Sequence, residues 1–140
     1  MAVNDPRARY VADAVTTASP ARLLVMLYDR LVLDCEQGEQ AMRAGNRHEA
    51  NQRLQHAQDI VIELLSSLDT EAWSGGPALA SLYNFVSTEL VQANIAADPG
   101  KVAACRALIE PLRDAWRQAA AEVGTTTRVP GSTVSLGVVA

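Results

Sequence analysis

Three stretches of this chain place an apolar residue at every third or fourth position. Ala50, Leu54, Ala57, Val61, Leu64 and Leu68 step by 4, 3, 4, 3 and 4. Leu79, Tyr83, Val86, Leu90, Ala93 and Ala97 repeat those steps, and Val102, Cys105, Ile109, Leu112, Trp116, Ala119 and Val123 alternate 3 and 4. Such spacing draws one stripe down one side of an α-helix, whereas a half-buried strand repeats every second residue. A lone helix of this length is marginal in water, so the stripes must face one another.

Breaks and caps divide the chain. Ser19 is a helix N-cap and Pro20 suits the first helical position, so a long helix is expected from there to about Ala44, with Gly38 inside and Gly45 as a left-handed stop. Further helices are expected from about Arg47 to Leu68, Pro77 to Ala97 and Lys101 to Glu122. DTEAWSGGP at 69–77 and DPG at 98–100 are the loops between them. Pro111 falls inside the last helix, on the side away from Ile109, where a bend faces water. The expected fold is all-α: an antiparallel four-helix bundle over 19–123, a short N-terminal cap helix within 1–18, and a disordered C-terminal tail over 124–140. In the tail, TVSLGVV at 133–139 has the alternative of pairing as a strand or packing in a groove.

Composition excludes several functions. The chain has 140 residues, enough for one domain with a core, and only 4% are aromatic. The net charge is −4, Lys101 is the one lysine, and the arginines are scattered, so no nucleic-acid patch is expected. No apolar run is long enough for a membrane span; the longest is LLVMLY, 23–28. MAVNDPRARY at the start lacks a signal-peptide pattern, which points to the cytoplasm. Cys35 and Cys105 both fall at core positions and are expected to be simple buried thiols. A di-metal bundle enzyme needs Glu-x-x-His on two helices, and His48 and His56 follow Gly45 and Arg53 at that distance. No metal, cofactor or catalytic residue is expected.

What stands out is surplus apolar surface. On the first helix Leu23, Leu24, Leu27, Tyr28, Leu31 and Cys35 make the inward side, and Arg22, Asp29, Arg30, Glu36 and Gln37 mark the wet side. Met26 and Leu33 fall in the middle of that wet side, with Val25 and Val32 on its edge. Ile62, Val91 and Ile95 likewise stand well off the stripes of their helices. Several such residues in one small domain predict a contiguous groove that something covers. Burying six of them contributes on the order of 10 kcal/mol before ordering costs. A homodimer, an irregular bundle or the N-terminal segment are the alternative covers.

Four motifs in order resemble the flagellar secretion chaperones of the FliS type. They are Tyr10 followed by TTASPARLLVMLYDR at 16–30, HAQDIVIELLSSLD at 56–69, SLYNFVSTELVQAN at 81–94 and LRDAW at 112–116. The resemblance implies a helical bundle with an N-terminal cap segment that binds the disordered C-terminal segment of flagellin. On that reading the chaperone prevents premature polymerisation and supports delivery to the export apparatus. An export-gate component and regulatory proteins of flagellar assembly are further candidate partners. The candidate partner-binding residues are Tyr10, Met26, Leu33, Ile62, Val91, Asn94 and Ile95. Tyr10 either anchors the cap segment or touches the client. Tyr28 and Tyr83, at the two LY positions, are read as core residues with bonded hydroxyls in preference to client contacts. Asn94 either bonds a partner's backbone or caps its helix. Arg30 stands where the family pattern has glycine, and the tail matches nothing in that pattern. The competing reading is a helical-bundle adaptor or homodimerising protein unrelated to secretion.

Overall fold

The computed structural model describes residues 19–126, with side chains described as far as Glu122. The expected cap segment with Tyr10, and residues 127–140 of the expected tail, lie outside the described residues. Within them the chain is all-helical, with no strand: α1 Pro20–Arg43, α2 Arg47–Ser67, α3 Gly76–Ala96 and α4 Pro99–Thr126.

The caps explain these bounds. The Ser19 hydroxyl accepts from the Arg22 amide at 3.2 Å, and Asn46 accepts from Glu49 at 3.1 Å. Gly45 is left-handed, with φ +77°, and closes α1 while its amide reaches the Met42 carbonyl at 3.1 Å. α4 begins earlier than Lys101. The Asp98 carboxylate accepts from the Gly100 and Lys101 amides at 3.0 and 3.3 Å, and Pro99 takes the first helical position. DPG is thus a helix start rather than a loop, by the logic of Ser19–Pro20. At its other end α4 runs on through Gly124, Thr125 and Thr126, three residues assigned from sequence to the tail. Pro111 stays within α4 and is exposed.

α1 packs against α2 and α4, and α3 packs against the same two. Partner numbers run in opposite directions across the α1–α4 and α2–α3 seams. Glu39 meets Arg106 while Asp29 meets Arg117. Asn51 meets Asn94, and Leu64 shares a small cavity with Leu79. The core holds Tyr28, Leu31, Leu54, Val86, Leu90 and Ile109, all essentially inaccessible. Gly38 has a packing role: a Cβ there would stand 2.9 Å from Leu54 Cδ2, so alanine would require the buried Leu54 side chain to shift.

Two expectations for α1 fail. Leu23, assigned inward, is exposed, and Val32, assigned to the edge of the wet side, is buried. The reason is that α1 carries neighbours on both flanks, so its buried arc is broad on the α4 side and Val32 falls within it.

Candidate partner-binding faces

The two LY tyrosines belong to the core. Tyr28 and Tyr83 hydroxyls lie 2.6 Å apart, joining α1 to α3 across the centre, and Trp116 sits edge-on to Tyr28 with ring centroids 6.4 Å apart. Burial pushes both phenols above their usual range. With Tyr28 turned inward, the helical period sends Met26 and Leu33 the other way. They are 45% and 37% exposed and share an outward line on α1 with Leu23.

Arg30 lies along the same line. Its Nε stands 3.4 Å from Oδ1 of Asp34, a carboxylate with no exposed surface. Arg53 and His56 of α2 also reach Asp34, Arg53 at 3.9 Å and His56 through Nδ1. A buried carboxylate is tolerated only with such partners. Sequence reasoning missed this cluster. The available signal was Asp34 itself, an acid one residue before the core position Cys35.

Ile62 of α2 and Val91 and Ile95 of α3 form a second face. They are 54%, 40% and 76% exposed. The Asn94 amide donates to Asn51 Oδ1 at 2.7 Å, which fixes the flank of α3 that meets α2. Val91 and Ile95 lie on that flank within one helical turn of Asn94, and Ile62 lies on the corresponding flank of α2, further along the seam. At one end an open recess of about 430 Å³ is lined by Arg47, His48, Asn51, Asn94 and Ile95. The Asn94 amide does not cap its own helix; it tethers α3 to α2.

The expected residues therefore form two faces and not one groove. Met26 and Leu33 point outward from α1, the α2–α3 seam carries Ile62, Val91 and Ile95, and the outer side of α2 separates them. A third exposed apolar pair, Phe85 at 52% and Leu108 at 40%, was also missed. Each directly neighbours a stripe residue, Val86 and Ile109, which is why stripe counting passed over them.

Among the described residues no group of three or more His, Cys, Asp or Glu side chains is placed to hold a metal ion. No described helix is long and apolar enough to cross a membrane. Cys35 and Cys105 are buried free thiols, as expected.

Residues 3–123 match the family model for flagellar protein FliS. The chain belongs to the FliS family. It is 32% identical over 119 residues to the flagellar secretion chaperone FliS of Bacillus subtilis strain 168, covering 85% of this chain and 89% of that one. Against the flagellar secretion chaperone FliS of Vibrio cholerae, identity is 34% over 125 residues, covering 81% and 90%. The Escherichia coli K12 protein of that name is 30% identical over 110 residues, covering 77% and 81%. The match spans all four motifs read from the sequence. FliS is a chaperone family rather than an enzyme family.

Proposed function

We propose that this FliS-family chain is a cytosolic export chaperone whose client is the disordered C-terminal segment of flagellin. Binding holds that segment away from premature polymerisation and presents it to the flagellar export apparatus. The observation that carries the reading is the surplus apolar surface: the core closes without Met26, Leu33, Ile62, Val91 and Ile95, and all five remain in water. Covering half of each such side chain contributes about 1 kcal/mol, so five contribute on the order of 5 kcal/mol before ordering costs. A segment that is itself apolar on one side and unfolded alone can wrap from one face to the other, which a rigid partner cannot do.

The opposed residue pairings across the seams support reading the four helices as an antiparallel bundle. On it, residues 1–18 act as a cap segment anchored by Tyr10, and the two faces provide the client track. An export-gate component and regulatory proteins of flagellar assembly are further partners on this reading.

The test is titration of a synthetic flagellin C-terminal segment into the full chain, followed by calorimetry and circular dichroism. One-to-one binding with a gain of helix is expected. Absence of binding, or exposed-face substitutions that only split a homodimer, would replace the chaperone reading with that of an adaptor.

A further inference from the structure

The α2–α3 seam has two unlike ends. Asn51, Gln55, Gln58 and Ile62 step by 4, 3 and 4 along α2, and Asn84, Thr88, Val91 and Ile95 step likewise along α3. None of these residues is charged and none is buried. The bond between Asn51 and Asn94 sets the two lines side by side. Arg47 and His48 stand one turn before Asn51. With Asn51, Asn94 and Ile95 they line the recess of about 430 Å³, and among the described residues no acid joins that lining. The Arg47 guanidinium donates to the Asn94 carbonyl at 3.4 Å and has further N–H groups for a second acceptor. Glu49, the nearest acid in sequence, is turned to Arg53 at 2.9 Å. At the far end, Asp59 and Glu63 stand exposed on the rim beside Ile62. The seam is therefore basic at one end, acid-rimmed at the other and uncharged between.

We propose that the Arg47–His48 recess takes the free α-carboxylate of the client, whose last helix then lies along the seam antiparallel to α2. The inference rests on the client being the C-terminal segment of flagellin, because such a segment ends in an α-carboxylate. Charge complementarity sets the direction. A helix carries partial positive charge at its N-terminus and partial negative charge at its C-terminus, and an α-carboxylate adds a full charge to the latter. Laid with its C-terminus at Arg47, such a helix meets the basic end with its negative end and the Asp59–Glu63 rim with its positive end. Laid the other way, it meets like charge at both. A guanidinium gives a carboxylate charge-assisted hydrogen bonds, and His48 and Asn51 bring further N–H donors to the same recess. Between the ends, Ile62, Val91 and Ile95 receive the apolar side of the helix. Arg47 and Ile62 are about 22 Å apart along α2, so the last fifteen or so residues of the client span the seam. The carboxylate fixes register and direction, which contacts between hydrocarbon side chains alone do not. A second copy of this chain is the weaker occupant, since it brings a net charge of −4 against a net charge of −4.

The experiment titrates the synthetic flagellin C-terminal segment into the full chain by calorimetry, once as the free acid and once with its C-terminus amidated. The amide is expected to bind about 5- to 20-fold more weakly. With Arg47→Gln the two forms should bind within about twofold of each other, and Arg47→Lys should restore part of the difference. In the ¹⁵N-labelled chain, a nitroxide about fifteen residues before the end of the peptide should broaden the Ile62 amide more strongly than that of Ile95. Equal binding of acid and amide would overturn this inference while leaving the client reading intact. So would a difference that survives Arg47→Gln, which would place the carboxylate elsewhere, or stronger broadening of Ile95, which would reverse the helix. A free chain that sediments as a dimer and is split by Arg47→Gln would give the recess to a second copy. Binding by neither form would remove the client reading and this inference together.

Discussion

The α1–α4 seam and the α2–α3 seam are built on the same helical scaffold with opposite surface chemistry. Along α1–α4, Arg106 reaches Glu39 at 3.1 Å, Glu110 at 3.5 Å and Glu36 at 3.6 Å, and Arg117 reaches Asp29 at 2.7 Å. Along α2–α3 the polar contacts are an amide pair, Asn51 with Asn94, and the Arg47 guanidinium on the Asn94 carbonyl at 3.4 Å, and the exposed edge also carries Ile62, Val91 and Ile95. An incoming chain at the first seam must strip charges of their partners and water, which costs more than it returns. At Ile62, Val91 and Ile95 of the second it displaces water from hydrocarbon, which is favourable and breaks no ion pair. The charged seam is sealed by its own residues, and the apolar seam is left available.

The strongest way to separate the two is to compare a core truncation with edge substitutions. Ile109→Ala, at a fully buried position of α4, should cost about 2–5 kcal/mol of stability in denaturant unfolding. Ile62→Asp combined with Ile95→Asp should leave the melt nearly unchanged. The pair should weaken binding of the flagellin segment by about 2–3 kcal/mol, roughly 30- to 100-fold. If that pair unfolds the protein, the α2–α3 edge is part of the core and the contrast disappears.

Alkaline pH probes the sealed side. Burial pushes the Cys35 thiol up from 9.0 to about 12, with Cys105 and Asp34 adding to the rise, and burial pushes Cys105 up to about 11. The unfolded chain releases these protons first. The stability the thiols contribute is therefore complete below about pH 9 and is lost as pH rises toward the folded values. Each thiol should add a decline of about 1.4 kcal/mol per pH unit within its window, and Cys35→Ala should remove one such share of the slope. Client binding at the other seam should show no matching change.

Smaller effects sharpen the picture. Tyr83→Phe leaves the buried Tyr28 hydroxyl without its partner and should cost about 1 kcal/mol, with the client affinity unchanged. Arg117→Ala, whose pair with Asp29 is about half exposed on both sides, should cost less than about 0.5 kcal/mol and less still in high salt.

Much of this was legible beforehand because helical periodicity is a local property. Leu54, Tyr83, Val86 and Ile109 were placed in the core by spacing alone, and Met26, Leu33, Ile62, Val91 and Ile95 were placed outside it for the same reason. Spacing could not say which flank of a helix meets which neighbour. That gap accounts for Val32 and Leu23, and for the single groove that is two faces. It also hid Asp34, whose burial depends on Arg53 and His56 arriving from α2. The start of α4 was a different failure, because DPG reads equally as a turn and as an Asp–Pro helix start until the Asp98 carboxylate is seen to bond two amides.

The sequence by itself determined the four long helices of the described residues, their inward stripes and the fact that apolar surface is left over, since each follows from the arrangement of side chains around a single helix. Only the tertiary structure decided which of those leftovers share a face and which seams are closed by charge. Those outcomes depend on the order of helices round the core and on pairs such as Arg106 with Glu39 or Asn51 with Asn94, which are far apart in the chain and meet only when the helices pack.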